Sequence, residues 1–368
     1  MEANRLLDDA YIDSVLAVVG RQPTSTTHAV VDAAPAQFTW DYDKGARPPL
    51  TRLYEKAKGA QWNGATDLPW DTDVDPEQLA VLATAAMRPM TGPDMVKGTP
   101  FEGWGDAEWI RYGVESQRWM LSQFLHGEQG ALLATAKIVE TVPWIDAKYY
   151  AATQVMDEAR HVEVFARYLQ DKLEGGYPVN AHLGALLYDV VADARWDITY
   201  LGMQIIVEGL ALAAFGMMHA VTQEPLLKQL LRYVMADEAR HVAFGVLSLK
   251  EVYDGLSASE IRERQEFAYE ASVRMRDRFL QQEIWERMGL DVRRTVKLMA
   301  GNPGQAIYRQ ILFSKIVPNL KKLGLLDAGA KPGEQGWLRQ RFGELGVLQF
   351  EEAVDTSIEY ADLAIAAR

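Results

Sequence analysis

The sequence predicts an all-α fold organised around four long helices, and three observations support that prediction. First, apolar residues recur with helical spacing from Asp106 almost to the end of the chain, and strand signals are sparse. Second, the pentapeptide Asp-Glu-Ala-Arg-His occurs twice, at 157–161 and at 237–241. Third, a further glutamate precedes each copy at the same distance, Glu128 and Glu208.

Turn and capping signals divide the helical region. Pro143 ends a first long helix, and Gly175-Gly176 ends a second. Asn180 is placed to cap a third helix, which we expect to continue to the turn at 223–225. The fourth helix follows that turn and ends at Gly255.

Additional helices are predicted outside these four. Ser257-Ala-Ser-Glu260 has the form of a capping box and opens a fifth helix. Further helical segments are expected at about 303–323 and 335–342. The predicted organisation is an irregular and helical N-terminal wrap (1–103), a four-helix core (104–255) and C-terminal helices packed on the same domain (256–368).

Composition narrows the function classes. The 368 residues carry a net charge of −13, which disfavours binding to a nucleic-acid backbone. The absence of cysteine excludes disulfides, thiolate catalysis and iron–sulfur ligation. The acidic start lacks a secretory signal, so we expect a cytoplasmic protein. The apolar stretch around 205–218 is interrupted by Glu208, which favours a buried helix over a membrane span.

Each pentapeptide contains Glu-x-x-His, which places a carboxylate and an imidazole on one helix face within reach of one metal ion. Glu128 and Glu158 lie equally far from the turn at Pro143, and Glu208 and Glu238 flank the turn at Glu224 in the same way. Antiparallel helices rise ~1.5 Å per residue, so residues equally far from a turn return to the same height. The predicted metal ligands, which are also the predicted catalytic residues, are Glu128, Glu158, His161, Glu208, Glu238 and His241.

An ionised glutamate on an apolar helix face costs several kcal/mol unless it is paired or bound to metal. Four carboxylates around two divalent ions are neutral, which makes their burial tolerable. The structural alternative is a buried ion-pair network between the two hairpins, formed by Asp157, Glu158, Arg160 and their counterparts in the second copy.

On these residues the chain resembles the ferritin-like diiron-carboxylate oxidases and oxygenases. This superfamily includes monooxygenase hydroxylases, soluble acyl-carrier-protein desaturases and ribonucleotide reductase small subunits. The resemblance covers about residues 104–255, and both pentapeptides are similar to the monooxygenase form. It implies a ferritin-like four-helix bundle with Glu158 and Glu238 bridging two metal ions.

The resemblance also implies roles for residues around the ligands. Asp237 would orient His161 and Asp157 would orient His241, with Arg160 and Arg240 neutralising the aspartates. The segment from Gln61 to Trp70 is similar to the one that carries the electron-transfer tryptophan of reductase small subunits, which predicts a contact between Trp62 and Asp237.

Three positions depart from the subfamilies. Phe165 lies where a reductase small subunit carries its radical tyrosine. Val234 lies where arylamine N-oxygenases have an additional histidine, and Ala211 and Leu212 occupy the turn where hydroxylases and desaturases have a threonine. No subfamily is matched in full.

The predicted function is an O2-activating diiron oxygenase that hydroxylates or desaturates a small apolar substrate. Small side chains one turn after ligand glutamates leave room for an apolar pocket, which is predicted to be lined by Phe124, Ala131, Phe165, Ile205, Ala211, Leu212 and Phe215. Two iron ions are the expected cofactor, with manganese or a mixed pair as alternatives. Because no flavin or iron–sulfur motif is present, electrons must come from an external reductase or ferredoxin.

The other functions kept open are a ferroxidase or metal-handling protein and a subunit that resembles the ribonucleotide reductase small subunit. No nucleic-acid or membrane partner is expected. The C-terminal apolar helices suit either a core or a subunit interface, so a homodimer stays open.

Overall fold

The computed structural model describes residues 8–19, 29–82 and 93–352. Every regular element within these ranges is helical, in agreement with the predicted all-α fold. The elements in chain order are α1 (Asp9–Leu16), α2 (Pro48–Gly59), α3 (Pro93–Val96), α4 (Asp106–Thr141), α5 (Ile145–Asp171), α6 (Ala181–Ala192), α7 (Trp196–Tyr200), a π-helical segment (Leu201–Val207), α8 (Glu208–Val221), α9 (Pro225–Tyr253), α10 (Ala258–Asp277), a 3-10 turn (Arg278–Leu280), α11 (Gln282–Arg287), α12 (Val292–Gly301), α13 (Pro303–Ile311), a 3-10 turn (Leu312–Lys315), α14 (Val317–Lys322), α15 (Trp337–Glu344) and a 3-10 turn (Leu348–Phe350). Residues 76–82 are also helical.

The four-helix bundle consists of α4, α5, the continuous helix 196–221 and α9. α4 packs along α5, and the helix 196–221 packs along α9, so two antiparallel hairpins face each other. Helix α4 ends two residues before Pro143, and α9 begins at Pro225, as the turn signals predict. The bundle therefore brings the middles of four helices together at one level.

The third predicted helix is interrupted, contrary to the expectation of one helix from Asn180 to the turn at 223–225. Asn180 caps α6 by accepting hydrogen bonds from the backbone N–H groups of His182 and Leu183. The buried Lys137 ammonium then binds the backbone carbonyls of Val191 and Asp193 at the end of α6. A side chain from α4 thus satisfies the carbonyl groups that would otherwise continue the helix.

The helix 196–221 contains a seven-residue π-helical segment, Leu201–Val207, which ends immediately before Glu208. π-Helical turns inside α-helices are rare overall, but those that occur are often found at functional sites. No sequence pattern predicted this segment, because its residues are as apolar as those of an ordinary buried helix.

The terminal regions pack on the bundle. α2 lies against α5 and α9, and α10 lies against α6, the π-helical segment and α15. Ser257 and Glu260 form the predicted capping box of α10. The predicted segment 303–323 consists of α13, a 3-10 turn and α14, while α11 and α12 were not predicted. One apolar core extends from Ile12 through the bundle to Val347. Of the predicted N- and C-terminal regions, residues 1–7 and 353–368 lie outside the described residues.

The helix Trp196–Val221 is long and apolar enough to cross a membrane by composition alone. In the fold, 78% of its most apolar window is buried inside the protein. Its apolar character is therefore explained by its place in the bundle core.

A stability prediction follows from the cap of α9. The buried Glu224 carboxylate accepts hydrogen bonds of 2.6 Å from the backbone N–H groups of Leu226 and Leu227, and one of 2.9 Å from the Tyr168 hydroxyl of α5. Glu224→Ala removes both the cap and the link to α5, so we expect a loss of about 2–3 kcal/mol in the free energy of unfolding. Tyr168→Phe should cost about 1 kcal/mol.

Urea denaturation followed by circular dichroism measures both losses. The exposed Glu266, which pairs with Arg262 one turn earlier on α10, provides the control, and Glu266→Ala should change stability by less than about 0.5 kcal/mol. Equal effects of the substitutions at Glu224 and Glu266 would contradict the capping role.

Candidate metal centre

Six buried side chains converge at mid-height of the bundle, and they are the six that the sequence predicts. Glu128 comes from α4, Glu158 and His161 from α5, Glu208 from the first position of α8, and Glu238 and His241 from α9. Their ligand atoms form two overlapping groups, each with all atoms within 4.8 Å of one another; the groups are Glu128, Glu158, His161 and Glu238, and Glu158, Glu208 and His241.

The two imidazoles face the carboxylates through Nδ1. His161 Nδ1 lies 3.2 Å from Glu128 Oε2, 3.5 Å from Glu158 Oε2 and 3.1 Å from Glu238 Oε1. His241 Nδ1 lies 3.1 Å from Glu158 Oε1 and 3.6 Å from Glu238 Oε2. Glu158 and Glu238 each approach both histidines with different oxygens, which is the arrangement that a carboxylate bridging two ions requires.

The residues present fit a pair of divalent metal ions. Several buried ligand atoms have no hydrogen-bond partner among the described residues; they are Glu158 Oε2, Glu208 Oε2, both Glu238 carboxylate oxygens and His241 Nδ1. Leaving such atoms buried and unpaired is costly, and metal coordination would remove that cost. Carboxylate and imidazole donors suit iron and manganese.

The pKa shifts of the glutamates show that the cluster needs cations to balance its negative charge. Burial raises the pKa of Glu128 and of Glu208 well above the usual range for a carboxyl group, and repulsion from Glu238 raises both further. Burial opposes ionisation of Glu158 as well, but its contacts with His241 and His161 hold its pKa below the usual range. Without metal, this cluster keeps protons that two divalent ions would replace.

Two aspartates form hydrogen bonds with the imidazole nitrogens that face away from the glutamates. His161 Nε2 lies 3.1 Å from Asp237 Oδ2, and His241 Nε2 lies 3.3 Å from Asp157 Oδ2, so each histidine donates to the aspartate of the opposite hairpin. This hydrogen bond keeps the proton on Nε2 and leaves Nδ1 free to bind a metal. The arrangement is the one that the family resemblance implies.

Two arginines neutralise these aspartates. Arg160 binds Asp157 and lies 3.1 Å from Asp237 Oδ2, while Arg240 binds Asp237 and lies 3.6 Å from Asp157 Oδ2. Burial opposes ionisation of Asp237, but Arg240, His161 and Arg160 hold the pKa of its carboxyl group below the usual range. A buried ion-pair network therefore does join the hairpins, but neither arginine pairs with Glu158 or Glu238 among the described ion pairs.

Trp62 contacts Asp237, as predicted. The indole Nε1 donates a hydrogen bond of 2.8 Å to Asp237 Oδ2, and the Arg160 guanidinium lies 4.7 Å from the ring centre. The half-buried Tyr233 of α9 stacks on the indole, with the ring centres 4.9 Å apart. Two aromatic rings and one carboxylate thus connect His161 to the half-buried Tyr233.

Part of the predicted apolar pocket lies beside a cavity at the carboxylates. A cavity of about 20 Å³, large enough for one water molecule, adjoins Glu128, Glu208 and Glu238. Of the predicted lining residues, it contacts Phe124, Ala131 and Ala211; its other lining residues are Gln123, Gly127, Val207 and Arg278.

The other predicted pocket residues, Phe165, Ile205, Leu212 and Phe215, do not line this cavity. They are fully buried, and the rings of Phe124, Phe165 and Phe215 pack against one another with centre distances of 4.5–6.0 Å. Helical spacing placed these residues on the correct face, but mutual packing fills the space between them.

Gln154 is a site residue that the sequence analysis missed. Its buried amide Nε2 donates hydrogen bonds of 3.0 Å to Glu158 Oε1 and 2.9 Å to Glu208 Oε1, which links the two hairpins. Gln154 precedes Glu158 by one helical turn, so an amide on the ligand face was the available signal. Arg278, by contrast, enters from a turn far along the chain, and no motif marked it.

The fold and the site define an oxidoreductase of the ferritin-like dimetal-carboxylate class. The model of the p-aminobenzoate N-oxygenase AurF family matches residues 135–324, slightly more than half of the chain, and the chain belongs to that family. The family is described by N-oxygenation. In this chain the buried Val234 occupies the position of the additional histidine that is expected for arylamine N-oxygenases.

Similar solved structures include two variants of an R2-like ligand-binding oxidase with reconstituted Mn/Fe cofactors. One, reconstituted aerobically, is 19% identical, with 76% of this chain and 94% of that chain covered and a TM-score of 0.49. Another, reconstituted anaerobically, is 17% identical, with 77% and 95% covered and a TM-score of 0.46. No curated protein matches the chain.

The contacts of Gln154 generate a prediction about metal retention. Gln154→Leu removes the amide that holds Glu158 and Glu208, and loss of such supporting hydrogen bonds typically costs 10–100-fold in metal affinity, so we expect a loss of about that size. Competition with a chelator, followed by metal analysis, measures the change.

Gln265 provides a matched control. It is also buried, but its amide donates to the backbone carbonyls of Leu325 and Ala328, away from the centre. Gln265→Leu should leave metal affinity unchanged. Equal metal affinities for the Gln154 variant and the wild-type protein would show that Gln154 does not support the metal ligands.

Proposed function

We propose that this chain is an O2-dependent oxygenase that holds two iron ions between its hairpins and oxidises a small apolar organic molecule with electrons from an external donor. The observation that carries the proposal is the buried set of four glutamates and two histidines with unpaired ligand oxygens beside a cavity. Family membership supports an oxygenase rather than a storage protein.

The family name points to N-oxygenation, since the family is described by its action on p-aminobenzoate. For this chain we propose N-oxygenation of a small aromatic amine as the first reaction to test and C-hydroxylation as the second. Val234 contributes no ligand atom, so the reaction has to proceed with the six ligands from the two hairpins.

Iron bound in this centre would supply the electrons that activate O2. The chain's own residues prepare the site for that chemistry. Asp157 and Asp237 keep the imidazole protons on Nε2, and Gln154 holds two of the carboxylates at fixed positions. The apolar side chains that line the cavity limit the access of water to the reacting groups.

Two observations disfavour the alternatives. Phe165 lies fully buried among Phe124 and Phe215, so no phenol is present at the position of a radical tyrosine. The cavity beside the carboxylates has apolar walls formed in part by Phe124, Ala131 and Ala211. An apolar wall suits an organic substrate, whereas a ferroxidase needs a polar route for hydrated iron ions.

External electrons are proposed to reach the centre along Trp62, Asp237 and His161. These residues form a continuous hydrogen-bonded connection, with distances of 2.8 Å and 3.1 Å. Tyr233, which stacks on Trp62, extends the connection outward. A reductase or a ferredoxin would dock on that side of the protein.

The proposal is tested with iron-loaded protein, a chemical reductant and isotopically labelled O2. With p-aminobenzoate or aniline as substrate, we expect a product that contains labelled oxygen, detected by mass spectrometry. The Glu158→Ala/Glu238→Ala double variant removes both carboxylates that would bridge the ions and should lose bound metal and product formation together. Metal-dependent O2 consumption that yields only oxidised iron would instead support a ferroxidase.

The cavity makes a second prediction. Gly127 lines the cavity, is half-buried, and has open space where a side chain would begin. Gly127→Leu should lower the rate of substrate oxidation at least about tenfold by filling that space. Leucine favours a helix interior by about 0.5–1 kcal/mol relative to glycine, so the variant should remain folded.

Metal analysis and the melting temperature check that Gly127→Leu leaves the centre intact. The control position is Gln129, which lies two residues further along α4, is exposed and does not line the cavity. Gln129→Leu adds the same side chain outside the cavity, so we expect it to leave the oxidation rate unchanged. Unchanged oxidation by Gly127→Leu would show that substrates do not use this space.

A further inference from the structure

The interior of the four-helix bundle differs in character on the two sides of the metal ligands. On one side, the rings of Phe124, Phe165 and Phe215 pack against one another. On the other side, toward the turn at Pro143, polar side chains are buried in the core. The residues of this polar cluster are Tyr150, Gln154, Tyr200, Gln204 and Ser248, each at most 1% exposed. A polar interior on that side needs an explanation, because the burial of polar groups is costly unless they have partners.

The polar cluster begins beside the metal ligands and extends away from them. Gln154 and Gln204 each precede the ligand glutamate of their helix by four residues. Tyr150 and Tyr200 each precede it by eight residues, which places them roughly 10–12 Å from the glutamate along the helix axis. Both tyrosine rings pack on Phe244 of α9, with ring centres 4.4 Å and 5.0 Å apart. The cluster therefore lies where α5, the helix 196–221 and α9 meet.

Each member of the polar cluster contains a buried atom without a hydrogen-bond partner among the described residues. These atoms are the hydroxyl groups of Tyr150, Tyr200 and Ser248, the side-chain oxygen of Gln154 and both amide atoms of Gln204. Single unpaired hydroxyl groups also occur elsewhere in the protein, for example at Ser272 of α10. Several such atoms together on one side of the centre, however, form a site that suits internal water, since a buried water molecule bonds to about two to four polar groups.

The hydroxyl groups of the cluster are suited to passing protons on. Burial raises the pKa of Tyr150 and of Tyr200 above the usual value for a phenol. Both groups therefore stay protonated at neutral pH, and a protonated hydroxyl group can donate one hydrogen bond while it accepts another. The Ser248 hydroxyl, which lies close to that of Tyr200, has the same capacity.

An ion-pair network links the far end of the polar cluster to the surface. Asp197, three residues before Tyr200, accepts hydrogen bonds of 2.8 Å and 3.1 Å from Arg264 of α10. Arg264 Nη1 in turn lies 3.3 Å from Glu263 Oε2, and the Glu263 side chain is 56% exposed. The Tyr253 hydroxyl, another buried and unpaired group, lies close to Asp197 and Arg264. Polar groups thus follow one another from the ligand glutamates to solvent.

The proposed oxygenase reaction consumes protons. One O2 molecule, two electrons from the external donor and two protons convert the substrate into an oxygenated product and one molecule of water. A ferredoxin delivers electrons without protons, so the protons have to reach the buried centre by a route of their own. The packed rings of Phe124, Phe165 and Phe215 contain no polar group that would pass them on.

We propose that the polar cluster binds a chain of internal water molecules, along which protons move from the surface near Glu263 to the metal centre. Water chains transfer protons in general acid–base catalysis, and the unpaired atoms of the cluster would hold the waters in place. At the inner end, Gln154 bonds to two ligand glutamates through its amide nitrogen and leaves its oxygen for a water molecule. This proposal rests on the proposed function, because the oxygenase reaction consumes the protons.

The first experiment is a crystal structure of the Mn(II)-loaded protein at a resolution that shows ordered water. We expect water molecules in the polar cluster, each within hydrogen-bond distance of several of the unpaired atoms. Direct hydrogen bonds among the side chains of the cluster, with no water between them, would overturn the proposal.

The second experiment measures the reaction of reduced, iron-loaded protein with O2 in the presence of p-aminobenzoate or aniline, by stopped-flow absorbance in H2O and in D2O. Tyr200→Phe keeps the ring that packs on Phe244 and removes the hydroxyl group. We expect it to lower the rate at least about tenfold and to increase the solvent deuterium isotope effect. Metal content should not change, because Tyr200 is eight residues from Glu208. An unchanged rate and isotope effect would refute the proton route, even with water present in the crystal.

A matched pair of serine variants provides the control. Ser272 is fully buried and its hydroxyl is also unpaired within the described part of the chain, but it lies on α10, outside the bundle. We expect Ser248→Ala to slow the reaction with O2 at least about fivefold and Ser272→Ala to leave it unchanged. Equal rates for the two variants would contradict the role of the cluster. Ser248→Ala also decides the question if Tyr200→Phe fails to fold.

Failure of this proposal is distinguishable from failure of the proposed function. Labelled oxygen in the organic product, formed equally fast by the wild-type protein and by the variants at Tyr200 and Ser248, would refute the water chain only. Ordered water and a slower reaction of these variants with O2, with oxidised iron as the sole product, would refute the oxygenase only, because reduction of O2 by iron also consumes protons.

Discussion

Mutual repulsion among four buried glutamates is the constraint on which the centre of this protein depends. Glu128, Glu158, Glu208 and Glu238 lie at one level of the bundle, with their ligand atoms a few ångströms apart. Burial removes the water that would screen their charges, so protons or metal ions have to be present. Gln154 holds Glu158 and Glu208 in place, and the two aspartates hold the imidazoles, so that two cations can compensate the carboxylates.

The cross-connection of the hairpins follows from the same constraint. Each histidine binds the aspartate that precedes the glutamate of the other hairpin, and each arginine reaches both aspartates. Without the other hairpin, the histidine and the arginine of each hairpin would lose an aspartate partner. The centre therefore stabilises the association of the hairpins at the same time as the hairpins shape the centre.

The sequence predicted the six candidate ligands because their chemistry repeats along the chain at a regular spacing. It predicted the contact of Trp62 with Asp237 only through a family resemblance, since no local pattern joins residues that far apart. The break before Trp196 was missed because Lys137, which satisfies the end of α6, comes from another helix. The mutual packing of Phe165 and Phe215 was not predicted, because helical periodicity predicts a shared face but not whether the side chains on that face leave space between them.

The π-helical segment before Glu208 has a consequence for how this helix can vary. In an α-helix each residue advances the direction of the next side chain by roughly 100°, because 3.6 residues make one turn. A π-helical turn accommodates an extra residue, so the direction of Glu208 depends on the number of residues between Leu201 and Val207 as well as on their types. Loss of one residue there would preserve a continuous apolar helix and yet rotate the carboxylate away from its partners. Insertions and deletions in this short stretch are thus a more severe change than most substitutions, and relatives should keep its length even where its apolar residues differ.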